Sequence, residues 1–412
     1  MSTTVAPEQP SRIRGRLPKT QMPPWAEKAA APIVFLAAII LPFFFDTGAP
    51  FLQDCVQAMA YVVMALGLNI VVGFAGLLDL GFVAFFAIGA YTIGWFGSGF
   101  FAFVNHEKGV HIGVSGFAAN LPGIHLNFLL VLVAAVILTT IAGILIGLPT
   151  LRLRGDYIAI VTLAFGEIIG RIAVNGDDIK LSGVPILGGA FENAFGKDQT
   201  FTAGRQGITP VDKIQLPGLH QFTSLDLRPW YWTALGLVAV VLFVNFRLRD
   251  SRLGRAWVAL REDEVAAVAM GVPSVKTKLM AYGTGAAFGG MAGAFLGSYN
   301  NTVNADQFQF YFSILILAMV ILGGLGSIWG VVIGAITLTF INFYLLPDVL
   351  NGLPGDLGLD FDMTQITFAI YGFLLVIMML LRPQGLLPER RRAMEMTDAA
   401  ETTDETLYTA RA

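Results

Sequence analysis

Four polar side chains interrupt the long apolar runs of this sequence. Asn69 follows Gly67-Leu68, Asp79 sits in Gly76-Leu77-Leu78-Asp79-Leu80-Gly81-Phe82, and Glu167 and Arg171 lie four residues apart in a third run. A charge at the centre of a bilayer costs about 2.5–3.5 kcal/mol on insertion scales, so such a group caps a helix, finds a partner or meets a solute. Glu167 and Arg171 share one face of a helix and are expected to form a structural ion pair. Asp79 can cap the helix that follows it, or it can stand on a solute path. Asn69 is expected to bond to a neighbouring helix. Other chemistry is missing from the sequence. His106, His111, His125 and His220 are scattered, Cys55 has no second cysteine to pair with, and there is no HExxH, CxxC or GxxxxGK[ST] pattern. No metal site, no intrachain disulfide and no ATPase are therefore expected in this chain, and no cluster suits an enzyme. No run of buried carboxylates and histidines suggests a proton relay.

The elements that must hold these groups are membrane helices. The 412 residues are 55% hydrophobic and 13% charged, with a mean hydropathy of +0.68, against about 25% charged in soluble domains. A net charge of −3 shows no nucleic-acid footprint. A span needs about 20 mainly apolar residues. Ten spans are expected, at about 30–46, 55–74, 79–99, 127–149, 156–174, 229–247, 279–299, 308–325, 328–346 and 363–381. Residues 307–347 carry no charge and would be about 61 Å long as one helix, so they must fold back, at Gly323-Gly324-Leu325-Gly326-Ser327. Residues 55–99 are expected to break near Gly73-Phe74-Ala75-Gly76 for the same reason. The fold class is thus an all-α polytopic membrane protein.

The positive-inside rule orients the spans. Arg12, Arg14, Arg16, Arg152, Arg154, Arg247, Arg249, Arg252, Arg255, Lys276 and Arg390 fall on one side, and the short loops near 47–54 and 347–362 carry no Lys or Arg. Both termini are expected in the cytoplasm. Residues 1–29 form a polar, proline-containing tail, and the run after them reads as a permanent anchor rather than a cleaved leader. The permease domain is 30–381. The outer segment 175–228 is either a partly ordered surface loop or a small cap that touches an external partner. Residues 382–412 are expected to be a disordered tail. Glycines at spacing four, such as Gly285, Gly289, Gly293 and Gly297, or Gly326, Gly330 and Gly334, suit close helix packing or sliding of helices.

The inner loop 248–278 contains a stretch, 254–273, in which Ala256, Leu260, Ala267 and Met270 recur at helical spacing. It reads as one short amphipathic helix ending at Gly271-Val272-Pro273, too short to span. Such a helix lies on the membrane surface or enters a groove on a partner.

Glu264-Val265-Ala266-Ala267 followed by Gly271 resembles the E-x-A-A-x-x-x-G motif of ABC-importer permeases. Gly73-Phe74-Ala75-Gly76-Leu77-Leu78-Asp79-Leu80-Gly81, Gly254-Arg255-Ala256-Trp257, Gly323-Gly324-Leu325-Gly326-Ser327-Ile328-Trp329-Gly330 and Arg382-Pro383-Gln384-Gly385-Leu386-Leu387 resemble the branched-chain amino-acid permease family. The match runs from about residue 60 to 390 and looks most like the larger of that system's two permeases. The resemblance implies a cytoplasmic coupling helix, with Arg261, Glu264, Ala266, Ala267 and Gly271 as ATPase-coupling residues. It implies a second homologous permease, two cytoplasmic ATPase subunits that use ATP and Mg, and an extracytoplasmic binding protein delivering leucine, isoleucine or valine. The setting would be a bacterial inner membrane. Asn69, Gly76, Asp79, Gly81, Phe85 and Phe86, with Phe82, are the candidate substrate pathway, because an apolar solute needs a weakly apolar path. Urea, short amides or other amino acids remain alternative cargoes, and an ion-coupled secondary transporter is the rival mechanism.

Overall fold

The computed structural model describes residues 35–104, 108–114, 121–151, 153, 155, 157–183, 188–215, 221–349, 367–382 and 385–387. Residues 1–29, Arg152 and Arg154 lie outside them. The chain divides into two compact units, Met1–Phe45 and Asp46–Ala412. The described part of the first is one apolar helix, α1 (Phe35–Phe44).

In the second unit, α2 (Pro50–Leu68) continues into a π-helical turn, Asn69–Phe74. There follow α3 (Val83–Phe96), α4 (Phe128–Thr150), α5 (Tyr157–Asn175), α6 (Gly188–Phe195) and α7 (Arg228–Arg249). The chain ends with α8 (Arg252–Glu262), α9 (Glu264–Ala269), α10 (Ser274–Tyr299), α11 (Phe310–Gly323), α12 (Ile328–Phe340) and α13 (Thr367–Leu381). Among the described residues, six helical runs are long and apolar enough to cross a membrane. The shorter apolar helices α1, α3, α11 and α13 occupy the remaining four expected spans. The protein is an all-α polytopic membrane protein, with small additions of strand outside the spans.

The glycine stripe of α10 explains how the centre is packed. Helices in lipid associate by close contact of small residues. Gly285 meets the Gly67 carbonyl of α2, Gly289 meets Phe82 and Phe85, and Gly293 lies on the Phe86 carbonyl of α3, where added side chains would collide. Gly143 and Gly147 of α4 close on Tyr282 from another side. As a result α2 and α10 are largely enclosed by protein, whereas α4, α5 and α7 turn most of their surface outward.

Two helices begin inside the layer. At 14 residues, α3 and α11 are each about 21 Å long, short of a 30 Å hydrocarbon core. The irregular segment before α3 runs against α5, where Gly81 presses on the Thr162 carbonyl. Irregular backbone at that depth is tolerated because protein surrounds it. A 3-10 turn, Ala305–Phe308, precedes α11, and the Phe308 carbonyl lies over Gly170 of α5.

One end of the bundle carries a three-stranded sheet, ordered β1 (Gly97–Ser98), β3 (Ile124–Leu126), β2 (Val110–Ile112), with β1–β3 antiparallel and β2–β3 parallel. The described residues between 175 and 228 fold onto it. Ser98 bridges Val211, Ile208 bridges Val303, and Leu181, Phe191 and Phe195 pack on Phe101 and Ile124. The described residues of this segment form a cap that shares one apolar cluster with the sheet. At the other end lie α8 and α9. There the expected loose tail begins ordered: Leu386 and Leu387 donate their amides to the Leu322 and Gly323 carbonyls at 2.9 and 3.1 Å. The rest of that tail lies outside the described residues.

Candidate coupling and translocation site

The amphipathic stretch 254–273 is two helices rather than one. Asp263 is extended (φ −150°, ψ 107°) and ends α8, while its Oδ1 accepts from the Val265 and Ala266 amides at 2.8 and 3.0 Å to start α9. An aspartate N-cap is stabilising at such a start, so the break falls there. At the other end Gly271 (φ +89°) closes α9, with Gly271 N bonding Val268 O and Val272 N bonding Ala267 O, a Schellman motif. Space is not the constraint at Gly271, since an added Cβ would meet nothing within 4 Å. The left-handed backbone is the constraint.

This elbow is fixed to the bundle from inside. Trp257 is fully buried and donates its indole N–H to the Thr277 carbonyl at 2.8 Å. Glu264 Oε1 accepts from Lys278 Nζ at 2.6 Å and Ser274 Oγ at 2.5 Å, both on α10. Ala267 is buried beneath, and Ala266 is exposed. Arg261 points into the bundle, where Nη1 donates to the Gly73 carbonyl at 2.6 Å. The outward face is apolar: Val265 is 74% and Met270 86% exposed. Of the expected coupling residues, Glu264 and Arg261 brace the elbow against the bundle. Ser274 and Lys278 were not legible as its anchors, because they lie ten and fourteen residues from Glu264 beyond the Gly271-Val272-Pro273 turn.

Arg261 ends at the place where two helices break. Gly76 (φ +70°) leaves the π-helical turn, and an added Cβ would strike the Arg261 stem. A side chain at Gly73 would strike Asn69, whose Oδ1 accepts from Gly326 N at 2.9 Å. Asn69 thus bonds across to the α11–α12 turn. Arg261, Gly73, Asn69 and Gly326 form one continuous line from the elbow to both breaks.

Asp79 is 2% exposed and does not cap α3. Its Oδ1 accepts from the Gly81 amide at 2.9 Å, within the turn before the helix. The amide of Val83, the first residue of α3, goes instead to Ser313 Oγ of α11 at 3.0 Å, because α3 starts four residues later than the sequence suggested. The Oδ2 of Asp79 has no hydrogen-bond partner among the described residues. Phe82 and Phe85 are edge-to-face in the core, and Gly81 is buried against α5. Phe86 stacks near Phe312 and lines a cavity of about 320 Å³ with Gln57, Tyr61 and Asn342.

Glu167 and Arg171 do not close the expected salt bridge. The ion pairs among the described residues are His125–Asp212, Lys180–Asp198, Arg249–Asp250 and Lys278–Glu264. Both side chains lie instead on the exposed face of α5 and line one groove with Arg205 and Asp306. Arg205 and Asp306 sit in segments that read only as loop, so sequence spacing gave no sign of the meeting.

A family model described as the branched-chain amino acid transport system permease component matches residues 52–381. The chain is 35% identical over 387 residues to the high-affinity branched-chain amino acid transport system permease protein LivM of Escherichia coli (strain K12), covering 89% of this chain and 76% of that protein. It is 34% identical over 383 residues to the LivM of Salmonella typhimurium, covering 88% and 75%. The shorter-range similarity to the permease protein LivH of Escherichia coli (strain K12) is 27% over 165 residues, 40% of this chain and 48% of that protein. No solved structure gives a significant match. With most of its length matched, this chain belongs to the family of branched-chain amino acid transport system permease components.

Proposed function

We propose that this chain is the larger permease subunit of an ATP-driven importer that carries leucine, isoleucine and valine across a bacterial inner membrane. The observation that carries the reading is the elbow α8–α9. It is held to α10 and to the helix breaks by Glu264 and Arg261, while Val265 and Met270 face away from the bundle. Apolar side chains held out by a braced helix suit a partner's groove. That partner is a cytoplasmic ATPase pair, which supplies the ATP and Mg chemistry this chain has no loop to hold. Arg247, Arg249, Arg252, Arg255 and Lys276 surround the elbow, which makes this end cytoplasmic by the positive-inside rule, with both termini on the same side. The sheet-bearing end then faces outward, and its cap receives an amino-acid-binding protein. Similarity to both LivM and LivH supports a second, homologous permease as the membrane partner.

Closure of the ATPases would push the elbow, and the line Arg261–Gly73–Asn69–Gly326 passes that movement to the breaks before α3 and α12. The π-helical turn at Asn69–Phe74 is suited to this, because such turns hold backbone that can re-register. The test is reconstitution of this permease with the second permease, both ATPases and the binding protein. Labelled leucine should accumulate in vesicles when ATP is supplied, and Glu264→Ala should keep ATP hydrolysis while losing most accumulation. Accumulation by this chain with no ATPase present would overturn the reading.

A further inference from the structure

We infer that the groove between α5 and the start of α11 binds the zwitterionic end of an amino acid in transit, an inference that rests on the importer reading above. Glu167 and Arg171 are one turn apart on the exposed face of α5. Glu167 lies eight residues from the sheet end of that helix, about 12 Å below it at 1.5 Å per residue. A carboxylate and a guanidinium facing hydrocarbon at that depth are expensive, so this face borders water or protein and not lipid.

Across the groove stand Arg205, from the 3-10 turn Gly204–Gln206, and Asp306, from the turn that leads into α11. The groove has a volume of about 380 Å³, within the range of about 300–1,000 Å³ for small-molecule clefts. Two guanidinium groups and two carboxylates therefore line one groove without pairing among themselves. That is the complement of a zwitterion. The guanidinium fork suits an α-carboxylate, and the carboxylates suit an ammonium. Between them Val174 and Phe310 offer apolar surface to a branched side chain. Tyr311 borders both this groove and the 320 Å³ cavity beside Phe86, so a solute leaving the charged groove meets the neutral amides of Gln57 and Asn342 next.

The test uses the complete importer in vesicles and labelled leucine. Glu167→Gln and Arg171→Gln should each lower uptake by about 10-fold or more, the scale of a lost charge-assisted bond. The second permease and the ATPases should still co-purify, and binding-protein-stimulated ATP hydrolysis should persist. Undiminished uptake in both variants overturns the site and leaves the importer reading standing. Loss of the second permease from the complex also overturns it, by making these charges a subunit interface. If wild-type complexes move no leucine, the importer reading fails and the site falls with it. Should the charge variants not accumulate, Val174→Cys in a Cys55→Ser chain gives a second measurement. A small cationic thiol reagent added from the sheet side should modify it, and leucine-loaded binding protein with ATP should slow that reaction. Modification that the loaded binding protein does not slow overturns the site.

Discussion

Arg261→Met separates the mechanical line from mere packing. Arg261 donates to the Gly73 carbonyl at 2.6 Å, and its stem packs on Gly76. Methionine keeps most of that apolar stem and removes the donor. A hydrogen bond to a charged group contributes about 1.5–3 kcal/mol, and because Arg261 is only half-buried the lower figure of about 1.5 kcal/mol applies. That is about a 10-fold change in the equilibrium between an elbow engaged with the helix break and one that has slipped from it. In reconstituted vesicles, leucine moved per ATP hydrolysed should fall by about 10-fold, while ATP hydrolysis stays near the wild-type rate. Amide hydrogen exchange across 69–76 should rise in the same preparation. An unchanged transport-to-hydrolysis ratio would refute the line from the elbow to the break. So would a parallel fall in both rates, which reports lost assembly rather than lost transmission.

Lys278→Met removes the ion pair to Glu264 and should loosen α9 by about 1–3 kcal/mol, read as faster proteolysis at 264–271 with α10 still inserted. Unchanged cleavage there would show that the ion pair carries no load. The cap should respond to pH through His125, whose ring nitrogen meets Asp212 at 2.6 Å. Burial works against the charged imidazole, but the hydrogen bond and charge of Asp212 outweigh it and raise His125 above its ordinary value of 6.5. A group raised on folding stabilises below its unfolded value, and that contribution disappears as pH climbs through the folded value. The cap should therefore protect the amides of 124–126 and 211–212 better near pH 6 than at higher pH. His125→Gln should abolish the difference, and a trend in the opposite direction would refute the pairing.

The helices were legible because a bilayer demands a long, mainly apolar run wherever the chain crosses it. Residues 307–347 could not be a single helix on length alone, and the chain turns at Gly324 and Gly326, both with positive φ. Gly271 was equally legible as a helix stop, since its place after an apolar repeat is a local pattern. The groove was not. Glu167 and Arg171 at spacing four read as a pair, because helical periodicity reports which residues share a face and nothing about what lies opposite it. Asp79 was misjudged by the same limit. Its distance from the true start of α3 depended on Ser313, more than two hundred residues away.

The sequence by itself determined the class of molecule, the spans, the turns between them and the short helical segment 254–273 that lies outside them. All of these follow from hydropathy, glycine placement and charge within a few residues. Only the tertiary structure decided that Arg261 and Glu264 bond to the bundle and that the α5 charges share a groove with Arg205 and Asp306. Those contacts join segments far apart in the chain. Small residues let α10 draw α2, α3 and α4 together, and no local pattern encodes which groups such closure brings face to face.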